Sequence, residues 1–331
     1  MKTRALWYVG ERKAELRLHK LPALGAEQVR VASLYSALSR GTESLVWRRE
    51  VPRALAQEMR APFQEGDFGG EVKYGYCSVG QVVALGESVS ELQLGQVVFC
   101  LHPHQDLYQV PATAVTAVPQ GVPARRAVLA ANLETALNAV WDAAPGPGDR
   151  ITVVGAGVVG SLVAWLCAQI PACTVQLVDL NPEKAELAEA LGATFCLPGD
   201  AQGQQDLVVH ASTSQAGLAL SLELAGVEAQ IVELSWYGEQ SPAVPLGRAF
   251  HSRRLTLKSS QVGRIPPGRA PRWDYARRLQ TVMRLLNAPI LDRLLEPEIS
   301  LADLPAALPA LLGAPGAMCQ LVAYPKNEGS S

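Results

Sequence analysis

Two features that often define the class of a protein are missing from this sequence: paired cysteines and long apolar segments. The six cysteines stand at positions 77, 100, 167, 173, 196 and 319, and no Cys-x-x-Cys spacing occurs among them. Several lie in apolar segments, which predicts free buried thiols in a reducing cytoplasm. No apolar run approaches the ~20 residues that span a bilayer. The sequence therefore predicts neither a disulfide-stapled secreted domain nor a membrane-spanning chain.

An excess of charge of one sign is also lacking. Charged residues make up 18% of the chain and the net charge is −2, so no nucleic-acid or anionic-membrane partner is predicted. The first residues turn charged at Glu11, Arg12 and Lys13, which interrupts the apolar core that a signal peptide needs and predicts a β-strand instead. A hydrophobic content of 48% over 331 residues is typical of a well-packed protein with about two domains.

The sequence does contain a glycine motif between a strand and a helix. Residues 151–154 form a β-branched run, Gly-Ala-Gly-Val-Val-Gly follows at 155–160, and an apolar helix-compatible segment extends over 161–170. In a dinucleotide-binding turn, the first glycine permits the turn, the second lets a pyrophosphate approach the backbone, and the third lets the helix pack close to the strand. These roles fall to Gly155, Gly157 and Gly160.

Two further observations favour a dinucleotide site over the alternative, an ordinary tight loop. The start of the helix, at Val158 and Val159, presents open amide groups to phosphate charge. A second apolar strand, residues 174–178, ends at Asp179, about 20 residues after the glycines, as this fingerprint requires. The sequence therefore predicts a bound dinucleotide.

Asp179 bears on which dinucleotide binds. A carboxylate here accepts hydrogen bonds from the adenosine ribose and repels a 2′-phosphate, by on the order of a few kcal/mol before solvent screening. No arginine follows within the next four positions, and Lys184 lies inside the next helix. NAD is therefore predicted in preference to NADP. The alternative role for Asp179 is the N-cap of that helix, and the two roles are compatible.

Clusters of proline and glycine divide the chain into domains. Residues 1–144 contain short β-rich runs followed by a helical segment, and Pro-Gly-Pro-Gly-Asp at 145–149 leads into the central strand. Strand-like and helical segments alternate through 145–265, which predicts a doubly wound parallel sheet. Prolines at 266, 267 and 271 end this pattern. Such a sheet is complete after about six strands, so residues 266–331 are expected to pack with residues 1–144.

The chain resembles the medium-chain dehydrogenase/reductases, the superfamily of alcohol dehydrogenases and quinone oxidoreductases, over nearly its whole length. The β-rich first domain, the helix before the glycine motif, Val178 with Asp179, and Lys-Tyr-Gly-Tyr-Cys-Ser-Val-Gly-Gln-Val-Val at 73–83 carry the resemblance. It implies an α/β protein with a GroES-like catalytic domain and a Rossmann cofactor domain, assembled as a homodimer. Ser-Ala-Leu-Ser-Arg-Gly-Thr-Glu at 36–43 is similar to the branch that includes bacteriochlorophyllide dehydrogenases.

The chain departs from this family at the zinc ligands. Catalytic zinc needs three protein ligands, and the resemblance places Ser39 and Tyr76 at two of those positions, which leaves Glu134 as a ligand at the third. The four-cysteine lobe that holds structural zinc is missing too, because Cys100 is the only cysteine between positions 81 and 167. Neither zinc is therefore expected.

An unconventional metal site is the alternative. His102 and His104 could supply its ligands together with Glu134 and Cys77. The simpler interpretation is that both histidines line a loop or form hydrogen bonds there.

Without zinc, a phenol, hydroxyl or carboxylate must exchange the proton at the substrate oxygen. The resemblance singles out Tyr76, with Ser39, Thr42 and Glu134 as its neighbours. A packing role for the Tyr76 ring is the alternative. Arg40 resembles an arginine that contacts the pyrophosphate in some alcohol dehydrogenases, and a surface ion pair is the alternative there.

Other cofactor contacts are expected at the carboxyl ends of the parallel strands, where ligands of such sheets bind. Ala211 and Ser212 end one central strand and Ser235 ends the next. These three residues are predicted to border the adenosine or the nicotinamide. Trp236 and Tyr237 follow them, and their alternative role is contact with substrate or a partner subunit.

The sequence as a whole predicts an NAD(H)-dependent oxidoreductase that interconverts a secondary alcohol and a carbonyl by hydride transfer without zinc. Its partner would be a small-molecule substrate. Within enzymes, the alternative is a zinc-free reductase of activated C=C bonds. From another class, the alternative is an NAD-binding sensor or structural protein that has lost catalysis.

Overall fold

The computed structural model describes residues 1–313 and 316–325, which form two compact units. One unit comprises Met1–Ala131 with Leu279–Ser331, and the other comprises Asn132–Arg278. The boundaries predicted from the proline and glycine clusters, 144/145 and 265/266, both lie inside the second unit. No helix in the described part of the chain has the length and apolarity needed to cross a bilayer.

The β-strands of the described residues are, in chain order, β1 (Lys2–Gly10), β2 (Lys13–Lys20), β3 (Gln28–Ala37), β4 (Glu65–Gly66), β5 (Val72–Lys73), β6 (Ser78–Leu85), β7 (Val97–Cys100), β8 (Leu107–Pro111), β9 (Val115–Ala117), β10 (Arg150–Val154), β11 (Thr174–Val178), β12 (Thr194–Cys196), β13 (Gln205–His210), β14 (Ala225–Glu233), β15 (Thr256–Ser259), β16 (Ile299–Ser300) and β17 (Leu321–Ala323).

The α-helices of the same residues are α1 (Arg40–Arg48), α2 (Ala124–Ala127), α3 (Ala130–Ala143), α4 (Val158–Ala168), α5 (Ala185–Ala190), α6 (Gln215–Leu224), α7 (Tyr275–Leu285) and α8 (Leu304–Gly313). A one-turn 3-10 helix, Pro182–Lys184, precedes α5.

The first unit is built mainly from two sheets. One has the strand order β2–β1–β5–β4, and the other has the order β16–β17–β3–β6–β7–β9, with β8 also paired to β3. Alternate residues of the central strands point inward, as a half-buried strand requires, and Val29, Val31, Val82 and Val98 form a core cluster with Tyr108. The β-rich character predicted for the first domain is confirmed.

The carboxyl-terminal part of the chain belongs to this unit. Strand β17 pairs antiparallel with β3, with Val322 opposite Ser36. In addition, the buried Arg126 guanidinium donates to both carboxylate oxygens of Asp292, at 2.8 and 2.6 Å. Two parallel charge-assisted hydrogen bonds fix both position and orientation, so this pair fastens the returning segment beside α2.

The second unit is a six-stranded sheet in the order β12–β11–β10–β13–β14–β15, and every pairing in it is parallel. Strand β10 has four consecutive buried residues, Ile151 to Val154. Such continuous β-branched burial is typical of a strand covered on both faces. The strand order reverses between β10 and β13, so the predicted doubly wound sheet is confirmed.

Helix α3 explains why the second unit begins earlier than predicted. The Asn138 side-chain amide donates to the backbone carbonyls of Gln261 and Arg264, at 3.4 and 3.1 Å. The carboxylate of Asp142 pairs with Lys258 of β15 at 2.9 Å. These bonds join residues that are far apart in sequence. The positions of prolines and glycines therefore cannot predict them.

Candidate active site

The glycine motif forms a turn that no larger residue fits at its first position. Gly155 follows β10 with φ +110°, a left-handed conformation that side chains strongly disfavour. A Cβ on Gly155 would lie 2.8 Å from the backbone nitrogen of Ser212 and 2.9 Å from the carbonyl carbon of Ala211. The turn after β10 therefore touches the chain leaving β13, as expected for neighbouring strand ends.

The other two glycines differ from each other in their surroundings. A Cβ on Gly160, in α4, would lie 1.9 Å from the carbonyl oxygen of Gly155, so only glycine lets this helix approach the turn. A Cβ on Gly157, the N-cap of α4, would meet nothing within 4 Å. Crowding thus accounts for Gly160, whereas Gly157 faces open space in front of the free amides of Val158 and Val159. This arrangement fits a pyrophosphate.

Asp179 lies one residue beyond β11, beside the glycine turn. One of its carboxylate oxygens accepts from the backbone amide of Ala156 at 2.7 Å, and the other accepts from Asn181 at 2.9 Å. Asn181, whose side chain accepts from the Glu183 amide, is the N-cap of the following 3-10 turn. The cap role considered for Asp179 is therefore filled by Asn181. Each carboxylate oxygen of Asp179 keeps a further acceptor position, which suits a ribose diol.

Polar side chains gather at the carboxyl ends of β13 and β14. The Ser235 hydroxyl accepts from the backbone amide of Thr213 at 3.0 Å, which links the two strand ends. Ala211 packs near Gly160: a Cβ added to Gly160 would lie 3.5 Å from the Cβ of Ala211. The indole nitrogen of Trp236 is buried and has no hydrogen-bond partner among the described residues. A buried donor of this kind is ordinarily satisfied by a ligand or water, so this edge also fits a bound cofactor.

Three of the four predicted catalytic residues meet in the first unit. Tyr76 donates its phenolic hydrogen to Ser39, and its oxygen lies 3.1 Å from the Thr42 hydroxyl. Ser39 is the N-cap of α1 and Thr42 lies in its first turn, so the helix start holds both hydroxyls toward the ring. All three side chains are partly exposed. Desolvation of the phenol hydroxyl raises the pKa of Tyr76 above the usual value. The phenol is therefore protonated at neutral pH.

A buried carboxylate, Glu43, holds the start of α1 in place. It accepts hydrogen bonds from the Tyr8 hydroxyl at 2.7 Å and from the backbone amide of Ser39 at 2.8 Å. The Nε2 atom of His104 lies 3.0 Å from the same carboxylate, and its Nδ1 atom lies 2.7 Å from Ser36. Glu43 is fully buried, and these bonds satisfy a polar group whose burial would otherwise be costly. The network fixes the backbone of Ser39 next to Tyr76.

Glu134, the fourth predicted catalytic residue, lies in the second unit. Its carboxylate pairs with the Arg278 guanidinium at 3.0 Å, and both side chains are more than nine-tenths buried. Arg278 also donates to Asn138 at 2.7 Å. Burial raises the pKa of Glu134, and the charge of Arg278 opposes that rise. A metal-ligand or proton-relay role would therefore compete with an existing ion pair.

Arg40 is the first residue of α1 and is half-buried. Its guanidinium donates to the backbone carbonyls of Leu311 at 3.0 Å and Ala317 at 2.7 Å. Burial lowers the pKa of Arg40. The two carbonyl contacts match neither of the roles considered for Arg40, a surface ion pair or a pyrophosphate contact. Instead, its guanidinium joins α1 to α8 and to the segment after α8.

The two histidines of the alternative metal site have other partners. His102 stacks on Tyr108 with ring centroids 3.8 Å apart, and its Nδ1 atom lies 2.9 Å from the Pro103 carbonyl oxygen. Burial lowers the pKa of His102 to about 3, so the ring is neutral. Within residues 1–313 and 316–325, no group of three or more His, Cys, Asp or Glu side chains is arranged to hold a metal ion.

Two clusters in these sites were not predicted from the sequence. Glu43 stands in the Ser-Arg-Gly-Thr-Glu segment, yet its partners Tyr8 and His104 are 35 and 61 residues away. His210, at the end of β13, bonds Glu233, which is 23 residues away at the end of β14. The second contact has a feature in the sequence that could predict it: His210 and Glu233 both stand at the ends of predicted strands. Neighbouring parallel strands bring such residues together.

Comparisons with known proteins agree with this architecture. No protein-family model matches the chain. It is 24% identical to D-guloside 3-dehydrogenase of Escherichia coli K12 over 310 residues, which are 86% of this chain and 88% of that relative.

Solved structures match over nearly the whole chain. The 2R,3R-butanediol dehydrogenase of Bacillus subtilis superposes with a TM-score of 0.78 at 17% identity, covering 98% of this chain and 100% of that one. A protein described as a zinc-binding dehydrogenase from Sinorhizobium meliloti 1021, bound to NADP, gives a TM-score of 0.77 at 18% identity, covering 98% and 99%. The predicted combination of a GroES-like unit and a Rossmann unit is confirmed.

The different surroundings of Gly157 and Gly160 lead to opposite expectations for alanine. Gly160→Ala should lower the free energy of unfolding by about 1–3 kcal/mol, because the new methyl group would overlap the Gly155 carbonyl. Gly157→Ala should cost about 0.5 kcal/mol or less, because its methyl group meets open space, but it should still weaken dinucleotide binding. Urea unfolding and calorimetric titration measure the two effects. Equal destabilisation by both variants would contradict the assignment.

Proposed function

We propose that this chain, a member of the medium-chain dehydrogenase/reductase superfamily, is an NAD(H)-dependent oxidoreductase that interconverts a secondary alcohol and a carbonyl without catalytic zinc. The observation that carries the proposal is the glycine turn, where the open face of Gly157 adjoins the helix start and Asp179 lies beside it. The similarity to the bacteriochlorophyllide dehydrogenase branch stays a prediction.

Each part of the second unit has a task in holding the cofactor. The free amides at the start of α4 bind the pyrophosphate, and Asp179 accepts hydrogen bonds from the adenosine ribose. Ala211, Ser212 and Ser235 border the remainder of the dinucleotide at the ends of β13 and β14. The cofactor supplies the hydride acceptor or donor when it is bound, and the chain supplies position and proton exchange.

The hydroxyl cluster of the first unit supports proton exchange without a metal. Ser39 and Tyr76 stand where the resemblance places zinc ligands, and they hydrogen-bond each other. A phenol whose pKa is raised is a hydrogen-bond donor at neutral pH, so Tyr76 can polarise a carbonyl oxygen and deliver a proton as the alcohol forms. Ser39 and Thr42 orient that hydroxyl and provide a path for its replacement proton.

The substrate that we infer is a secondary alcohol flanked by further oxygen atoms. D-Guloside 3-dehydrogenase and butanediol dehydrogenase, the named relatives, are called after a glycoside and a vicinal diol. Such substrates carry a second hydroxyl next to the reacting carbon. A cluster of three neighbouring hydroxyls, Ser39, Thr42 and Tyr76, offers both donors and acceptors for that oxygen.

The direct test is turnover by the metal-depleted protein. Elemental analysis should find well under one zinc per chain, and the protein should oxidise vicinal diols or glycosides with NAD after chelation. Reduction of enones alone would favour the C=C reductase. Dinucleotide binding without turnover across alcohols, ketones and enones would favour the sensor. Stoichiometric zinc whose removal abolishes activity would overturn the zinc-free mechanism.

Tyr76→Phe keeps the ring and removes only the hydroxyl. Turnover should fall by about 10²–10⁴-fold while NAD affinity changes little, because the proton donor alone is lost. Because the pKa of Tyr76 is raised, ketone reduction should show no loss assignable to this residue up to about pH 10. Steady-state rates over pH, with calorimetric NAD affinity, measure both effects.

Tyr74→Phe is the matched control for that variant. The Tyr74 ring meets the Tyr76 ring edge-on at 6.0 Å and is buried, so its loss of a hydroxyl probes packing rather than proton exchange. Turnover should stay near the wild-type value. Near wild-type turnover for Tyr76→Phe as well would assign Tyr76 to packing and leave Ser39 and Thr42 as candidates.

Cofactor choice is the expected consequence of the Asp179 charge. NAD should bind at least roughly tenfold more tightly than NADP, because ~1.4 kcal/mol of repulsion from a 2′-phosphate is tenfold in affinity. Asp179→Asn keeps the shape of the side chain and removes its charge, so the difference between the NAD and NADP affinities should become smaller. Calorimetric titration with both cofactors measures it, and a melting temperature checks that the turn survives. Equal wild-type affinities would rule out this role.

A further inference from the structure

The cluster at the ends of β13 and β14 is more than a border for the cofactor. One carboxylate oxygen of Glu233 lies 2.7 Å from the Nδ1 atom of His210 and accepts from the Tyr237 hydroxyl at 3.3 Å. Its other oxygen accepts from the backbone amide of Ser235 at 2.7 Å. All three neighbours are groups that can donate to a carboxylate, so Glu233 is held from three directions.

His210 links Glu233 to two serine hydroxyls. While its Nδ1 atom faces Glu233, its Nε2 atom lies 2.7 Å from the Ser212 hydroxyl. Ser214 lies 2.9 Å from Ser212, and its hydroxyl accepts from the Gly217 amide at 3.0 Å. A hydrogen-bonded chain therefore runs from α6 through His210 to Glu233. It ends at the Glu233 carboxylate.

The Tyr237 phenol also faces the Glu233 carboxylate. Burial, followed by the neighbouring Glu233 carboxylate, raises the pKa of Tyr237 to about 12. The phenol thus stays protonated and donates. Among the described residues, His210 is the only basic side chain in ion-pair contact with Glu233. The lysine of the next strand, Lys258, pairs with Asp142 instead.

The sheet order places this carboxylate relative to a bound dinucleotide. Asp179 follows β11 on one side of the glycine turn, and β13 and β14 lie on the other side. A dinucleotide in such a sheet lies across the strand ends at the point where the order reverses. With its adenosine at Asp179 and its pyrophosphate at α4, its nicotinamide extends toward β13 and β14. Glu233, two strands from β10, is then roughly 10 Å from the turn at ~4.8 Å per strand.

We propose that Glu233, held by His210, Ser235 and Tyr237, is a fixed negative charge that favours the oxidised, cationic nicotinamide over the reduced, neutral ring. The inference deepens the proposed function and rests on it. NAD+ and NADH carry the same pyrophosphate and riboses, so a charge at this edge acts on their difference, which is the ring. Preferential binding of NAD+ biases the bound pair toward hydride transfer from NADH to the carbonyl carbon, with the proton going to its oxygen.

Three ligands separate this role from a structural one. Dissociation constants for NAD+, NADH and ADP-ribose, which lacks the ring, are measured by calorimetry for the wild type and for Glu233→Gln. At an effective dielectric of ~20, loss of the Glu233 charge near the ring should weaken NAD+ binding roughly three- to tenfold after screening. Binding of NADH and ADP-ribose should stay within about twofold. Glu223→Gln, which removes an exposed charge of α6 in the same unit, should change none of the three.

Each outcome decides the inference. An unchanged ratio of the NAD+ and NADH constants in Glu233→Gln would overturn it while leaving the proposed function intact. Equal weakening of all three ligands would assign Glu233 to structure. Failure of all three to bind the wild type would overturn the proposed function itself. If Glu233→Gln does not fold, the wild-type protein supplies the test, because the preference for NAD+ should shrink as ionic strength rises. A preference independent of salt would contradict the inference.

Discussion

The second unit depends on how closely α4 approaches the end of β10. That approach requires Gly160, whose missing side chain makes room for the Gly155 carbonyl, and Gly155, whose left-handed turn passes the chain leaving β13. Close packing in protein interiors transmits such constraints to their neighbours. The turn accordingly fixes the Ala156 amide against Asp179 and sets Ala211 and Ser212 beside it. The cofactor contacts that we propose on three strands therefore depend on one backbone contact.

The first unit has a comparable centre in Glu43. A buried carboxylate is tolerated because Tyr8, His104 and the Ser39 amide all face it. Removal of one partner would leave part of a desolvated group without a hydrogen bond. The result is that the start of α1 is held rigidly, although Ser39 and Thr42 themselves remain partly exposed. Rigid support behind an accessible hydroxyl cluster is what proton exchange at a fixed oxygen demands.

The sequence predicted what is local or periodic. The strand 174–178 matches β11, and the glycine turn with Asp179 lies as the fingerprint requires, because adjacent residues specify these features. The pairs Glu43 with His104, Glu134 with Arg278, and His210 with Glu233 were not predicted. Their members are tens to more than a hundred residues apart, and only the tertiary fold makes them neighbours. Arg40 illustrates the same limit, since its carbonyl partners lie in α8 and the segment after it.

The charges along the edge of the second sheet form an ordered series. Asp179 comes first, the amide-rich start of α4 second, and Glu233 third, in the order of strands β11, β10 and β14. An NAD+ molecule presents a neutral ribose diol, an anionic pyrophosphate and a cationic ring in that same order. Acceptors facing hydroxyl donors, amides facing phosphate and a carboxylate facing a cation are each favourable. The 2′-phosphate of NADP would place an anion against Asp179. Reduction of the nicotinamide ring would remove the cation that faces Glu233. In our proposal, a single pattern of charge therefore links the choice of cofactor to the choice of its redox state.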